Sequence, residues 1–162
     1  MGNAPLQPAL YTIGYQGAQI GSLLDALTGA GVQWLVDVRE APISRKADFA
    51  KSRLAAHLQG AQIGYRHIKA LGNPKAGRDA ARAGEVERYR TIFSRHMESQ
   101  LAREAVREVA RLAIAERACL LCLERDPHNC HRLIVADHIV AISGQEIEHL
   151  FAEPISGQGR LL

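Results

Sequence analysis

The sequence predicts an α/β fold: a single-domain, three-layer sandwich with a mostly parallel five-stranded sheet and helices on both faces. Three observations predict it. Short apolar blocks alternate with segments whose apolar residues recur at helical spacing, in the order β-α-β-α-β-α-α-β-α-β. The strand candidates are apolar blocks rather than clean alternations, as expected of a sheet buried on both faces. The chain has 162 residues, the size of one ordinary domain.

Residues 1–9 hold two prolines and no periodicity and read as a flexible lead; the domain is expected over 10–151, with 152–162 as a loose tail. Leu10 to Tyr15 is a β-type run ended by Gly14 and Gly17. Ile20, Leu23, Leu24 and Leu27 fit a helix over 20–29, closed by Gly29 and Gly31. Trp34-Leu-Val-Asp-Val-Arg39 is an apolar strand, and Pro42 breaks the chain after it. Phe49, Leu54 and Leu58 fit a second helix with Asp48 as its N-cap. Gly64-Tyr-Arg-His-Ile68 reads as a third strand. Residues 71–84, rich in Gly, Ala and charge, read as a long functional or mobile loop. From 85 to 117 the pattern is helical, with a break near Ser99. Ala118 to Glu124 is the fourth strand and Arg125-Asp-Pro-His-Asn129 a turn. A helix follows from about Cys130 to Ile142, capped by Asn129 and stopped by Ser143-Gly144; Glu146 to Phe151 is the fifth strand.

The composition is 47% hydrophobic and 23% charged, which excludes a disordered, collagen-like or disulfide-dense chain. The formal charge of +3 is mild: it favours an anionic ligand without the basic stripe of a dedicated nucleic-acid binder. The basic set holds 16 Arg and 4 Lys, and Arg offers a planar fork to phosphate or carboxylate. Cys119, Cys122 and Cys130 are too few for a disulfide framework. The first residues lack the pattern of a signal peptide, and no apolar run approaches the roughly 20 residues of a membrane span. The expectation is a cytoplasmic, reduced protein that does not enter membranes. No P-loop, G-x-G-x-x-G or G-x-S-x-G pattern is present, and neither Cys122 nor Cys130 is followed by Arg at the C-x₅-R spacing of a cysteine-phosphatase loop.

Parallel α/β sheets bind ligands beyond the carboxyl ends of their strands. Those ends read Gly14-Tyr15, Asp37-Val-Arg39, Tyr65-Arg-His67 and Cys122-Leu-Glu124. Residues two apart share a strand face, so Asp37 with Arg39, Tyr65 with His67, and Cys122 with Glu124 form geometric pairs. For any one pair, a structural ion pair or a hydrogen-bonded core histidine is the plainer reading; four strand ends with polar groups together indicate a site. Cys130, His131 and Arg132 are placed in the first turn of a helix, where amides and the dipole favour an anion and a thiolate. The loop Arg39-Glu-Ala-Pro-Ile-Ser-Arg45-Lys46 is basic and suits an anionic group. Cys119 and Cys122 have zinc-knuckle spacing, but an odd offset on a strand sets them on opposite faces, so Cys119 is expected in the core. Cys122, Glu124, Cys130 and His131 are metal-competent types without a familiar zinc spacing; no metal or cofactor is expected. Cys122 and Cys130, separated by a tight turn, are candidates for a disulfide with Cα atoms about 4.4–6.8 Å apart.

Tyr11-Thr-Ile-Gly-Tyr15, Val36-Asp-Val-Arg39, Pro42 with Ser44-Arg45 and Phe49, Tyr65 with His67, Leu71-Gly72, and Cys122-x-Glu124 with Cys130-His131-Arg132 form an ordered set. Together they resemble the domain of unknown function family 488 of bacteria and archaea, from about residue 10 to 151. The resemblance implies an α/β domain and ranks residues without supplying a reaction. The resulting expectation is an enzyme acting on a nucleotide or other phosphate-bearing small molecule. Asp37, His67, Cys122, Glu124 and Cys130 are its catalytic candidates; Gly14, Tyr15, Arg39, Ser44, Arg45, His131 and Arg132 are its binding candidates. Two alternatives stand beside it: a non-catalytic module for nucleic acid or a protein partner, and a metal- or thiol-based redox site at Cys122 and Cys130.

Overall fold

The computed structural model describes residues 8–153. Strands β1 (Leu10–Gly14), β2 (Trp34–Asp37), β3 (Gly64–His67), β4 (Ala118–Cys122) and β5 (Ile147–Phe151) form one sheet in the order β3-β2-β4-β1-β5. Every pairing is parallel, with Gly14 opposite Cys122 and Asp37 opposite both His67 and Leu121. Successive parallel strands need helical crossovers, and the crossovers sort onto two faces. Helices α1 (Ile20–Gly29) and α2 (Lys51–Gly60) bury Leu23, Leu27, Leu54 and Leu58 against Ile13, Leu35, Cys119 and Leu121. Helices α4 (Val86–Met97), α5 (Gln100–Ala115) and α6 (Arg132–Ser143) bury Phe93, Val106, Val109, Val135 and Ile139 against Leu10, Val36, Leu120 and Cys122. The period-2 alternation of each strand thus feeds two cores.

The break near Ser99 separates α4 from α5, and the Ser99 hydroxyl accepts from the Ala102 amide as the N-cap of α5. Gly144 closes α6 with φ 74°, a left-handed turn that glycine adopts without a Cβ clash. Three expectations are corrected. The loop expected over 71–84 contains helix α3 (Lys75–Arg82), which packs on α4. Its buried face is Gly77 and Ala80, so apolar periodicity does not reveal it. Asp48 does not cap α2; it sits in a 3-10 turn over Ala47–Phe49 and pairs with His57 and Arg53. The expected lead and tail are held where described: the Gln145 side-chain amide donates to the Pro8 carbonyl, and Ala152 is buried with its carbonyl accepting from Arg125. The rest of both segments, 1–7 and 154–162, lies outside the described residues. Among the described residues no helix is long and apolar enough to cross a membrane.

Candidate functional site

The polar residues at the carboxyl ends of β1, β2, β3 and β4 form two clusters, one on each face of the sheet. On the α1–α2 face, Asp37 follows Leu35 by two and points the same way. Its carboxylate accepts from Arg39 Nε (2.8 Å), Arg39 NH2 (2.6 Å), the Arg39 amide (3.1 Å) and the Tyr65 hydroxyl (2.6 Å). The Arg39 NH1 donates to the Phe49 carbonyl and the Tyr15 hydroxyl. Asp37 and Arg39 are buried, so this bidentate pair ties β2 to β3 and to the two loops that follow β1 and β2. Burial works against the Arg39 charge, but the Asp37 hydrogen bonds and charge outweigh it and raise its pKa above the ordinary value. Burial, then Asp37, raises Tyr65. With four donors on one carboxylate, Asp37 ties the strand edge together. Arg39 presents its fork to Asp37. His67 Nε2 donates to the Arg39 carbonyl of the same network at 2.7 Å. A carbonyl only accepts, so Nε2 carries the proton.

On the opposite face lie Cys122, Cys130, His131 and Arg132. The Cys122 and Cys130 sulfurs form a disulfide, with Cα atoms 7.4 Å apart, wider than expected from the sequence. Cys130 is not in the first turn of a helix. Pro127 opens a 3-10 turn over Pro127–Asn129 that Asp126 caps, so Cys130 is extended and α6 starts two residues later. Asn129 accordingly donates to Asp126 instead of capping α6. The Cys130 sulfur still accepts from the Arg132 amide at 3.4 Å. Arg132 is fully buried. Its NH1 donates to the Glu124 carbonyl (2.5 Å) and to Cys122 Sγ (3.4 Å), and its NH2 to the Arg125 carbonyl (3.2 Å). Its fork therefore holds the turn after β4 and is not offered to solvent. Among the described residues its Nε is buried without a partner, and burial lowers its pKa. Glu124 is half-buried, and burial raises its carboxyl above the usual range against the pull of Arg132. Cys119 lies in the other core, and burial raises its thiol strongly.

The remaining binding candidates do not converge. Ser44 Oγ accepts from the Lys46 amide and shapes its own turn, while Arg45 is exposed. Gly14 is a packing position: a Cβ there would sit 1.7 Å from the Glu124 carbonyl oxygen, so the loops after β1 and β4 meet only over a glycine.

A cleft of about 470 Å³ opens beside the carboxyl ends of β1, β4 and β5, lined by Gln16, Arg125, Asp126, Pro127, His128, His149 and Phe151. Its β5 residues share the face of Ile147, the face that carries the sulfurs. The Arg125 guanidinium lies 5.2 Å from the Phe151 ring centre and donates to the Ala152 carbonyl. His149 Nδ1 is 2.5 Å from Thr12 Oγ1, and burial, then the charges of Arg132 and His128, lower its pKa. Asp126 spends its carboxylate on the turn, accepting from the His128 amide at 2.9 Å. The lining thus carries one carboxylate against an arginine and two imidazoles. None of these residues is among the sequence candidates. Reading the end of the fifth strand by the rule applied to the other four would have found His149 and Phe151.

The family model described as Domain of unknown function DUF488 matches residues 19–139, more than half of the chain. The chain belongs to this family. No match is found among curated proteins or among solved structures. The stretch shared with the DUF488 model contains Asp37, Arg39 and the whole turn from Cys122 to Arg132, whereas Gly14, Tyr15, His149 and Phe151 fall outside it.

His131 gives this DUF488 domain a pH dependence with a definite sign. Its Nε2 is 2.7 Å from the Val38 carbonyl. Burial lowers its pKa to about 4, opposed by that hydrogen bond and aided by Arg132 and His96. Unfolded histidine titrates near 6.5. Between the two values the unfolded state binds more protons, so stability falls as pH drops through this window. The loss is roughly 3 kcal/mol by pH 4. Replacing His131 by Gln removes this slope. Melting wild type and variant between pH 7 and 4 checks it: their stability difference shrinks on acidification, and a constant difference contradicts the assignment.

Proposed function

We propose that the protein is an enzyme acting on a phosphate-bearing small molecule, with a nucleotide as the class that suits the site, held in the cleft at the carboxyl ends of β1, β4 and β5. The observation that carries this reading is the cleft itself: its place at the strand ends, its volume of about 470 Å³, and its lining of Arg125, His128, His149 and Phe151. That volume falls in the range of small-molecule sites, about 300–1,000 Å³. Arg125 and His128 supply donors for phosphate oxygens, and the half-exposed Phe151 offers a ring for stacking. His128, exposed in the cleft, is the group placed to move a proton there. In this reading Asp37, Arg39 and Arg132 act through the loops they fix, and Glu124 stands behind the same turn.

Calorimetric titration with nucleoside monophosphates, nucleosides and inorganic phosphate tests it. A nucleotide binds saturably and more tightly than either fragment, and Arg125→Ala weakens it by about tenfold or more, the worth of one charge-assisted hydrogen bond. Equal affinity in Arg125→Ala, or no saturable heat with any phosphate compound, contradicts the reading. A second reading, thiol redox chemistry on the same face, is favoured by one observation, the Cys122–Cys130 disulfide.

A further inference from the structure

We propose that Cys122, Cys130 and His131 of the reduced protein form a binding site for a thiophilic divalent cation, Zn²⁺ by its ligand types, and that forming the Cys122–Cys130 disulfide abolishes it. The inference rests on the thiol pair of the second reading and is independent of the cleft ligand. The two sulfurs and a ring nitrogen of His131 lie within 4.8 Å of one another, and all three residues are buried. They are supplied from fixed places: the end of β4, the extended residue after the 3-10 turn, and the residue before α6.

The histidine is already in the form a metal requires. Its Nε2 faces the Val38 carbonyl at 2.7 Å, and a carbonyl only accepts, so Nε2 holds the proton. Nδ1 is then the bare nitrogen, and it faces Cys130 Sγ at 3.7 Å. A ligand histidine whose other ring nitrogen is anchored on a backbone carbonyl is the usual arrangement in metal sites. Arg132 treats both sulfurs as acceptors, through its amide to Cys130 and its NH1 to Cys122, each at 3.4 Å. Among the described residues its guanidinium donates to two carbonyls and to Cys122 Sγ and to no carboxylate, so in the reduced protein the Cys122 thiolate is the negative group at its fork. Two thiolates and a divalent cation are neutral together, and buried charges persist when paired.

The backbone spacing agrees. The Cα atoms of Cys122 and Cys130 are 7.4 Å apart, beyond the span of about 4.4–6.8 Å that disulfides use. Two sulfurs about 2.3 Å from one tetrahedral zinc stand roughly 3.8 Å apart and accept a wider backbone. Three protein ligands leave a fourth position open, the pattern of reactive rather than purely structural zinc. Cys119 points into the opposite core and cannot join.

The switch balances with a peroxide as oxidant. Two thiolates give up two electrons as the S–S bond forms. The O–O bond of hydrogen peroxide breaks, two protons are taken up, two waters form, and the cation leaves. The experiment uses the full chain, reduced and then freed of reductant without air, titrated with Co²⁺ and then Zn²⁺. One Co²⁺ binds per chain with a sulfur-to-cobalt charge-transfer band, and Zn²⁺ displaces it. Affinity falls at least 100-fold after peroxide oxidation and in Cys130→Ser. No charge-transfer band in the reduced wild type, or a band unchanged in Cys130→Ser, overturns the site. The oxidised wild type is the comparison that needs no substitution. Its intact mass reads disulfide formation separately, so a disulfide that forms in a protein unable to bind Co²⁺ overturns the metal site and leaves the redox reading standing.

Discussion

Replacing Asp37 by Asn lowers the stability of the protein by about 3–5 kcal/mol, the cost of leaving a buried charge without its partner. In a chain of this size that corresponds to a fall in melting temperature of roughly 6–20 °C. The magnitude follows from what Asp37 does. It receives both arms of the buried Arg39 guanidinium and the Tyr65 hydroxyl at 2.6 Å. Asparagine keeps the shape but loses the charge and one acceptor, and it turns an amide N–H toward an arginine. Arg39 then remains desolvated without a carboxylate, facing one amide oxygen, the Phe49 carbonyl and the Tyr15 hydroxyl. Tyr65→Phe removes one hydrogen bond to a charged group and costs less, about 1.5–3 kcal/mol. Urea unfolding of both variants checks the order. Ligand affinity in the cleft, measured well below the melting temperature, stays near wild type in Asp37→Asn. A variant as stable as wild type but unable to bind ligand would return Asp37 to the reacting groups.

Arg132→Lys has the second large effect, and the reason is geometry rather than charge. One guanidinium satisfies the Glu124 and Arg125 carbonyls and touches Cys122 Sγ. A lysine ammonium has no planar fork and cannot reach three acceptors in this arrangement. The carbonyls at the end of β4 lose their partner while a positive charge stays buried. The expected cost is about 2–4 kcal/mol, since each buried acceptor left unpaired costs about 1–3 kcal/mol. Metal affinity of the reduced protein falls about 10–100-fold, as for other groups that hold metal ligands in place. Arg132→Met, which removes the charge as well, is the milder change. Equal stability of Arg132→Lys and wild type contradicts this account of the turn.

The architecture was legible because the strands are apolar blocks with distinct ends. Trp34 to Val38 and Ala118 to Cys122 carry enough adjacent apolar residues to be buried on both faces, and only a covered parallel sheet does that. Helix α3 was not legible, because its inner face is Gly77 and Ala80 and offers no hydrophobic period. The candidate site was legible in residue type more than in arrangement. The i, i+2 rule pairs Asp37 with Arg39 correctly, but it cannot say that their face of the sheet is opposite to that of Cys122. The register that sets Asp37 beside Leu121 fixes that relation, and register is a property of long-range packing. The first turn of α6 was misplaced because Pro127 can begin a 3-10 turn or an α-helix equally well, and the local sequence does not choose. The arginines also divide by burial. Arg132 and Arg39 carry the motifs but serve backbone and carboxylate, whereas Arg125, in what reads as a plain turn, reaches the cleft.

Amide chemical-shift mapping decides whether the cleft beside β1, β4 and β5 takes a phosphate-bearing ligand. The isotope-labelled protein is titrated with a nucleoside monophosphate. Saturable shifts cluster at the amides of Gln16, Arg125, Asp126, His128, His149 and Phe151, which share one binding curve. Shifts centred instead on the exposed loop around Ser44 and Arg45, or the absence of any saturable shift, would contradict binding in the cleft.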